Sequence, residues 1–520
     1  MSSTASPKAS GPQHHSPWAR AAAFRFIAGA VGALTVCVTL AHAADGYSAS
    51  DAERVRAVTA PTQEFTRPEA HENLSGGAGT FSGMPDAKAM SHPDAMLDDN
   101  SVERFRLGFA LFKKMWAQAP SSTEASDGLG PLFNARSCQS CHVRDGRGRP
   151  PEGGADSQSF LFRLARTPAN DAERAALAAH AQLNFPDPVY GQQLQDKGVT
   201  GLAGEGRPVV SYSDKTVALA GGETVTLRAP HYSVADLAYG PLDRGTTLSP
   251  RIAQSLAGMG LLEAIPEAEI LAEADRQGRE NEGVHGRPNH VRDPKTGAIV
   301  MGRFGWKAQN PTVRAQAASA LSIDIGISSP DAPNPYGDCT AAETACLKMP
   351  TGVQPRLGDT EAPDPILDLL TAYIANLAVP ARRDVDDPDV LAGKALFYQA
   401  GCASCHVPKF VTTRQTPEPQ HAFQMIWPYS DLLLHDMGEG LADGQQVGEA
   451  TGREWRTAPL WGIGLAQTVN GYQAYLHDGR ARTLEEAILW HGGEGERARD
   501  SYAAMAKADR QKLLKFLGSL

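Results

Sequence analysis

The run Cys138-Gln139-Ser140-Cys141-His142 recurs as Cys402-Ala403-Ser404-Cys405-His406. Both read C-x-x-C-H, the attachment pattern of a c-type haem. The spacing suits that chemistry. Two thiols add across the two vinyl groups of the porphyrin, and the histidine that follows binds the iron from one face. A C-x-x-C pair alone also fits half of a zinc site or a thioredoxin-like couple. Zinc needs four ligands, however, and a redox couple does not need histidine in the next position. Two full copies in a chain of seven cysteines are not coincidence. The sequence therefore predicts two covalently bound haem c groups, on Cys138, Cys141, Cys402 and Cys405, with His142 and His406 as proximal iron ligands.

The N-terminus agrees with that chemistry. Lys8, Arg20 and Arg25 precede an apolar stretch from Phe26 to Leu40, and Ala41-His42-Ala43 offers a small-x-small cleavage site. This is a secretory signal pattern, and the stretch is short for a membrane span. Covalent haem attachment in bacteria takes place outside the cytoplasmic membrane, so a periplasmic protein with no integral span after cleavage is expected. Cleavage after Ala43 leaves 477 residues, with 46 basic against 59 acidic, a net charge of −13. An acidic exported chain is a poor candidate for binding nucleic acid or an anionic membrane. A basic redox partner, a small cytochrome or a cupredoxin, suits it better.

Cys37 leaves with the signal and four cysteines hold haem, so Cys339 and Cys346 remain. Two such cysteines in an oxidising compartment are expected to form a disulfide. The sharper alternative, a catalytic dithiol, needs a group that lowers a thiol pKa, and none is adjacent.

A weak internal repeat gives the organisation. Leu107-Gly108-Phe109-Ala110-Leu111-Phe112 precedes the first motif, and Leu391-Ala392-Gly393-Lys394-Ala395-Leu396-Phe397 precedes the second. Both read as short amphipathic helices with glycine at matching positions, where another helix can cross closely. A Gly/Ser-rich insertion, Ser121 to Gly130, separates the first helix from its motif. Amphipathic helices at Ile366–Leu377 and Leu513–Leu520 would close the two units, since a terminal helix crossing an N-terminal one is the core of a cytochrome c domain. Pro380 cannot continue the preceding helix, so Val379–Arg383 reads as the linker.

The expected fold class is mainly α, with two c-type cytochrome haem domains, the first enlarged by a long mixed α/β insertion. The expected divisions are a signal peptide over 1–43, an N-terminal extension over 44–94, the first haem domain over 95–380 and the second over 381–520. Within the insertion, Val209–Tyr212 and Val217–Leu227 alternate like strands around a Gly221-Gly222 turn. Arg251–Gly258 and Pro266–Ala274 read as helical. That bulk exceeds what an electron carrier needs, and it is expected to surround the first haem.

These residues resemble a known family. Asp127-Gly128-Leu129-Gly130-Pro131-Leu132-Phe133-Asn134-Ala135-Arg136, running into the first motif, is similar to the di-haem oxidoreductases often labelled thiol oxidoreductases. So are Gly260-Leu261-Leu262-Glu263-Ala264-Ile265-Pro266, Gly302-Arg303-Phe304-Gly305-Trp306-Lys307 and the Tyr336-Gly337-Asp338-Cys339 segment. The thiol label is not adopted. The C-terminal part resembles the wider group of bacterial di-haem cytochrome c peroxidases and MauG-type enzymes, through Trp455–Ile463, Tyr475-Leu476-His477-Asp478-Gly479-Arg480 and Thr483–Ile488. Where those peroxidases carry an axial Met and the MauG type a Tyr, this chain has His491. The resemblance thus implies His406/His491 ligation of the second iron, which lowers its potential relative to His/Met.

Alternatives stay open. Met437 competes with His491, whose other reading is a helix C-terminal residue favoured by the dipole. His477 is a further ligand candidate, whose preferred reading is a hydrogen-bond partner near the haem edge. For the first iron, Met259, His231, His285, His290 and Met301 are all available, and an open position is equally consistent. An open iron would admit peroxide or another small oxidant. Glu263 and Arg303 would then be the acid/base and charge-stabilising candidates, against the plainer reading of a structural ion pair. Trp306, Trp427 and Trp461 are relay candidates, although large aromatics fill cores anyway. The function expected is an exported di-haem c-type cytochrome oxidoreductase passing electrons between its haems, peroxidase-like at the first. A non-catalytic di-haem electron carrier is the alternative, and a haem-bearing component of metal uptake a third.

Overall fold

The matching glycines mark two helix crossings. In the computed structural model, which describes residues 47–152, 156–280 and 282–520, helix Asp99–Phe112 packs on Asp364–Ala375, and Pro388–Gln399 packs on Lys507–Ser519. The expected signal peptide lies outside the described residues. Each leading helix starts on an aspartate cap: Asp98 accepts the Ser101 N–H (2.8 Å), and Asp387 accepts those of Asp389 (2.8 Å) and Val390 (3.2 Å).

At both crossings the backbones touch. A Cβ on Gly108 would stand 2.2 Å from the Leu369 carbonyl oxygen and 2.6 Å from Tyr373 Cβ. One on Gly393 would stand 2.1 Å from the Lys512 carbonyl oxygen and 2.8 Å from Phe516 Cβ. The phenyl rings one turn on are equivalent too. Phe112 meets His142 at 6.4 Å and 53°, and Phe397 meets His406 at 6.4 Å and 53°. Each repeat thus sets the motif histidine against a helix–helix crossing.

This gives a test with an internal control. Gly393→Ala is expected to cost about 1–3 kcal/mol, because overpacking against backbone outweighs a helix-propensity gain of about 1 kcal/mol. Gly278 lies in helix Glu267–Glu280 with nothing within 4 Å of its would-be Cβ, so Gly278→Ala should stabilise by about 1 kcal/mol. Opposite signs in chemical denaturation check the crossing.

The described residues form thirteen α-helices and six two-stranded antiparallel sheets, a mixed α/β chain. The longest sheet is the hairpin Arg207–Ala218 with Thr224–Ala235, turned at Gly221 (φ 86°) and Gly222 (φ 80°). The turn sits where the sequence places it, but the expected strand Val217–Leu227 is two strand ends and the turn between them.

The hairpin does not wrap the first motif. Ala220 N–H donates to Ala503 O (2.8 Å), Arg482 to Thr226 O (2.9 Å), and Arg228 to Arg480 O (3.2 Å). The Tyr232 hydroxyl donates to Asp478, and Glu223 pairs with Lys507 and Arg510. Its apolar side joins the core of the C-terminal helices. So part of the insertion packs on the C-terminal helices, beyond the expected enclosure of the first haem. Arg251–Gly258 is corrected: strand Thr246–Ile252 pairs with Phe160–Arg166, and a loop follows. Periodicity alone cannot separate a short apolar strand from a short helix.

The expected linker is pinned rather than loose. Val379 and Pro380 are buried, and Phe81 bridges to Pro380. Arg382 pairs with Glu72, which also takes Lys394 (2.8 Å), all three buried. Glu72 of segment 47–94 is therefore held by buried charge to the linker and to the second helix pair. Cys339 and Cys346 are joined in a disulfide, with Cα atoms 6.1 Å apart. Among the described residues no helix is long and apolar enough to cross a membrane.

Candidate functional site

Each C-x-x-C-H opens on its own cavity. Cys138, Cys141 and His142 line the first; Cys402, Cys405 and His406 line the second. The His142 Nδ1 is tied to Gln254 O (2.8 Å) and the His406 Nδ1 to Tyr429 O (2.9 Å). A ring nitrogen held on a carbonyl carries the proton, so Nε2 keeps its lone pair toward the cavity. Burial holds His142 below the usual imidazole range and His406 at about 4, so both stay neutral.

The first loop is braced from the crossing helix. Arg144 and Asp145 take left-handed backbone (φ 56° and 59°), which turns the buried Asp145 back under the motif. There it accepts the Tyr373 hydroxyl (2.9 Å), and burial raises its carboxyl to about 6. On the far side, helix Val313–Ala320 passes into a wider π turn, Leu321–Ile325. It offers small Ala317 and Ala320 and polar Gln316 and Asp324 to the cavity. Such turns often occur at functional sites.

In the second cavity, His491 and Met437 both line the wall. His491 follows helix Leu484–Leu489, and its Nδ1 donates to Ala487 O (2.8 Å), the same arrangement as the two motif histidines. Gly495 lets both side chains in: a Cβ there would lie 3.1 Å from the His491 ring and 3.3 Å from Met437 Cε. His477 also lines this cavity. It stacks on Trp455 (3.8 Å, 10°), donates from Nδ1 to Pro250 O (3.0 Å), and leaves Nε2 buried without a partner among the described residues.

The cavities share a wall of Arg147, Trp306, Arg456, Ala458, Pro459 and Ile463. Trp306 is fixed by its Nε1 on Ile252 O (2.9 Å). Trp461 lines only the first cavity. Trp427 lines neither; it is buried beside the Lys394 and Lys409 ammonium groups.

With this geometry in hand, the comparisons are specific. Residues 69–520 match the family described as "Di-haem oxidoreductase, putative peroxidase". The chain belongs to that di-haem oxidoreductase family. Haem is accordingly its cofactor. A structure of Kuenenia stuttgartiensis hydrazine synthase pressurised with 20 bar xenon is similar over 69% of this chain and 90% of its own. Its identity is 15% and its TM-score 0.25, which carries no argument. No curated protein matches the chain.

Haem fits both cavities on their donor sets. Each offers a neutral histidine with a free Nε2 and two thiols in walls otherwise mostly apolar. A thiol redox role fits poorly: burial pushes Cys138 and Cys402 up to about 12, away from the thiolate such chemistry needs. The zinc alternative also fails, because among the described residues no group of three or more His, Cys, Asp or Glu is arranged to hold a metal.

Other candidates are sorted by the fold. Of five possible sixth ligands to the first iron, only Met259 lines the first cavity. His231 sits on the hairpin against Ser213 Oγ (2.9 Å), and His290 binds Glu449 (3.0 Å). Met301 is in the core and His285 is outside the lining. Glu263 and Arg303 line neither cavity. The Glu263 carboxylate accepts the Val313 N–H (2.6 Å) at a helix N-terminus, and Arg303 donates to Leu262 O (3.1 Å). The structure thus does not bring the acid/base and charge-stabilising candidates to either cavity, and the helix start uses the carboxylate. Polar groups that do reach the first cavity include Gln309, Gln316, Asp324, Arg147, Arg251 and Arg456, none of them singled out from sequence. Only Arg147, Gln309 and Arg456 lie near the motif, Trp306 or Trp455 in the chain.

Proposed function

We propose that this chain is an exported di-haem c-type oxidoreductase, with haem bound covalently through Cys138/Cys141 and Cys402/Cys405 and ligated by His142 and His406. One observation carries the reading: two cavities, each entered by a C-x-x-C-H whose histidine is oriented by a backbone carbonyl, share a wall. The first cavity is the reactive site and the second the electron-transfer site. When bound, the haems supply one-electron chemistry at iron and, at an open iron, a place for peroxide.

The chain's own residues divide accordingly. In the second cavity, His491 is the proposed distal ligand and Met437 its competitor, so that iron is closed to solvent molecules. The first cavity has no second histidine among the described residues, and its polar groups could hold a proton or a small oxidant. Trp306, on the shared wall, is the proposed relay between the sites. The division into haem units at 95–380 and 381–520 rests on the repeated crossing and ring geometry. Export follows from where haem is attached, and the electron partner is a small cytochrome or cupredoxin. Met259 in the first cavity favours the second reading, a carrier with both irons six-coordinate.

Low-temperature EPR of the fully oxidised protein, with optical spectra before and after peroxide, separates them. One high-spin signal that peroxide changes and one low-spin signal that it does not are expected. Two low-spin signals indifferent to peroxide, in both oxidised and half-reduced protein, would make the chain a carrier.

A further inference from the structure

Arginines stand in and beside the shared wall without a direct ion pair. Arg456 is 5% exposed and Arg251 6%. Arg456 donates to Gly305 O (3.0 Å), Thr457 O (3.0 Å) and Gln254 Oε1 (2.8 Å), all uncharged acceptors. Arg251 reaches Ser249 Oγ (3.1 Å) and Gln445 Oε1 (3.4 Å), again uncharged. The Arg147 Nε donates to Ala474 O (3.2 Å), and its guanidinium stands 5.9 Å from the centroids of Trp306 and Tyr475. Among the described residues, no ion pair is formed by any of the three. Arg251 and Arg456 are buried and Arg147 half-buried, and a guanidinium taken out of water without a paired anion is strongly disfavoured. Elsewhere this chain pairs its buried cations: Lys307 with Asp443, Arg382 and Lys394 with Glu72, Arg480 with Asp478. The wall therefore awaits anions from what fills the cavities.

We infer that Arg147 and Arg456 form a carboxylate-binding bridge, taking propionate groups of both haems from the wall between them. Arg251 supports the first haem only, since it lines only the first cavity. The inference rests on the di-haem reading above. Arginine suits the task because its planar fork binds carboxylates bidentately. The bridge couples the two sites: the same two positive charges act on both haems, favouring the reduced form of each. Arg147 is the more telling residue, because its side chain hydrogen-bonds within the chain through Nε alone, whereas the Arg456 side chain holds three acceptors.

The test uses the holoprotein with Arg147→Gln and Arg147→Lys. Haem content per chain is read by pyridine haemochrome, and both midpoint potentials by spectropotentiometric titration. In Arg147→Gln both potentials should fall, each by about tenfold in the reduction equilibrium, or about 59 mV for a one-electron couple. Arg147→Lys should keep both near wild type but shift the propionate bending bands of both haems in resonance Raman, since an ammonium replaces the fork. A shift confined to one haem, or to neither, overturns the bridge. If the Gln variant fails to load haem, the Raman bands of the Lys variant decide, and unmoved bands overturn it. Fewer than two haems in the wild type would instead defeat the di-haem reading itself.

Discussion

Lys307→Met is expected to destabilise the protein by about 3–5 kcal/mol, the usual cost of removing one partner from a buried ion pair. Lys307 and Asp443 are both wholly buried. The ammonium uses its three protons on Asp443 Oδ1 (2.9 Å), Gln445 O (3.0 Å) and Thr451 O (2.8 Å). Burial lowers its pKa to about 8, and Asp443 works against that fall. Methionine fills the same space but leaves a buried carboxylate with only Ser249 Oγ and Gln445 N as donors, the Gln445 carbonyl unpaired, and Thr451 O with only the longer bond from Glu454 N–H (3.3 Å). The double variant Lys307→Met/Asp443→Leu should recover most of the loss, because replacing a buried pair by apolar groups is often neutral. Urea denaturation of both variants measures this. A single-variant cost below about 1 kcal/mol would mean that water reaches the pair. The consequence for the site is positional. Lys307 follows Trp306 and ties its loop to segment 443–455, which leads into Arg456, so the variant should also disturb the wall between the cavities.

That pair shows what the sequence could and could not carry. Gly302-Arg303-Phe304-Gly305-Trp306-Lys307 was visible as a resemblance, yet nothing in it says that Lys307 is buried, because its partner lies 136 residues away. The same limit hid Arg147 and Arg456. Arginine is ordinarily a surface residue, and only the fold shows two of them facing both cavities. Local chemistry was legible. C-x-x-C-H needs no tertiary context, and glycine four residues before phenylalanine marked both helix crossings. Gly221-Gly222 marked the hairpin turn, but not that the hairpin reaches across to Asp478 and Ala503, since that contact is set by long-range packing. Glu263 shows the converse limit. A carboxylate in a recognisable motif looks like an acid, and the fold instead sets it on the N–H of Val313.

His491→Ala should change the ligation of the second haem alone. The Nδ1 of His491 is anchored on Ala487 O, which orients the ring as His142 and His406 are oriented by their own carbonyls. Burial keeps it below the usual imidazole range and so neutral, as an iron ligand must be. Removing it leaves Met437, whose methyl lies close to the same glycine, as the nearest replacement. Two outcomes therefore identify His491 as the ligand: a new high-spin signal, or a methionine-ligated low-spin signal with a raised potential, since His/Met ligation sits above His/His. Added imidazole should restore the original spectrum in either case, because the deleted ring leaves a space of its own shape against Ala487 and Gly495. An unchanged spectrum would remove His491 from the iron. Met437→Ala should then produce the spin change, and the second haem would have the His/Met ligation of an ordinary electron-transfer cytochrome.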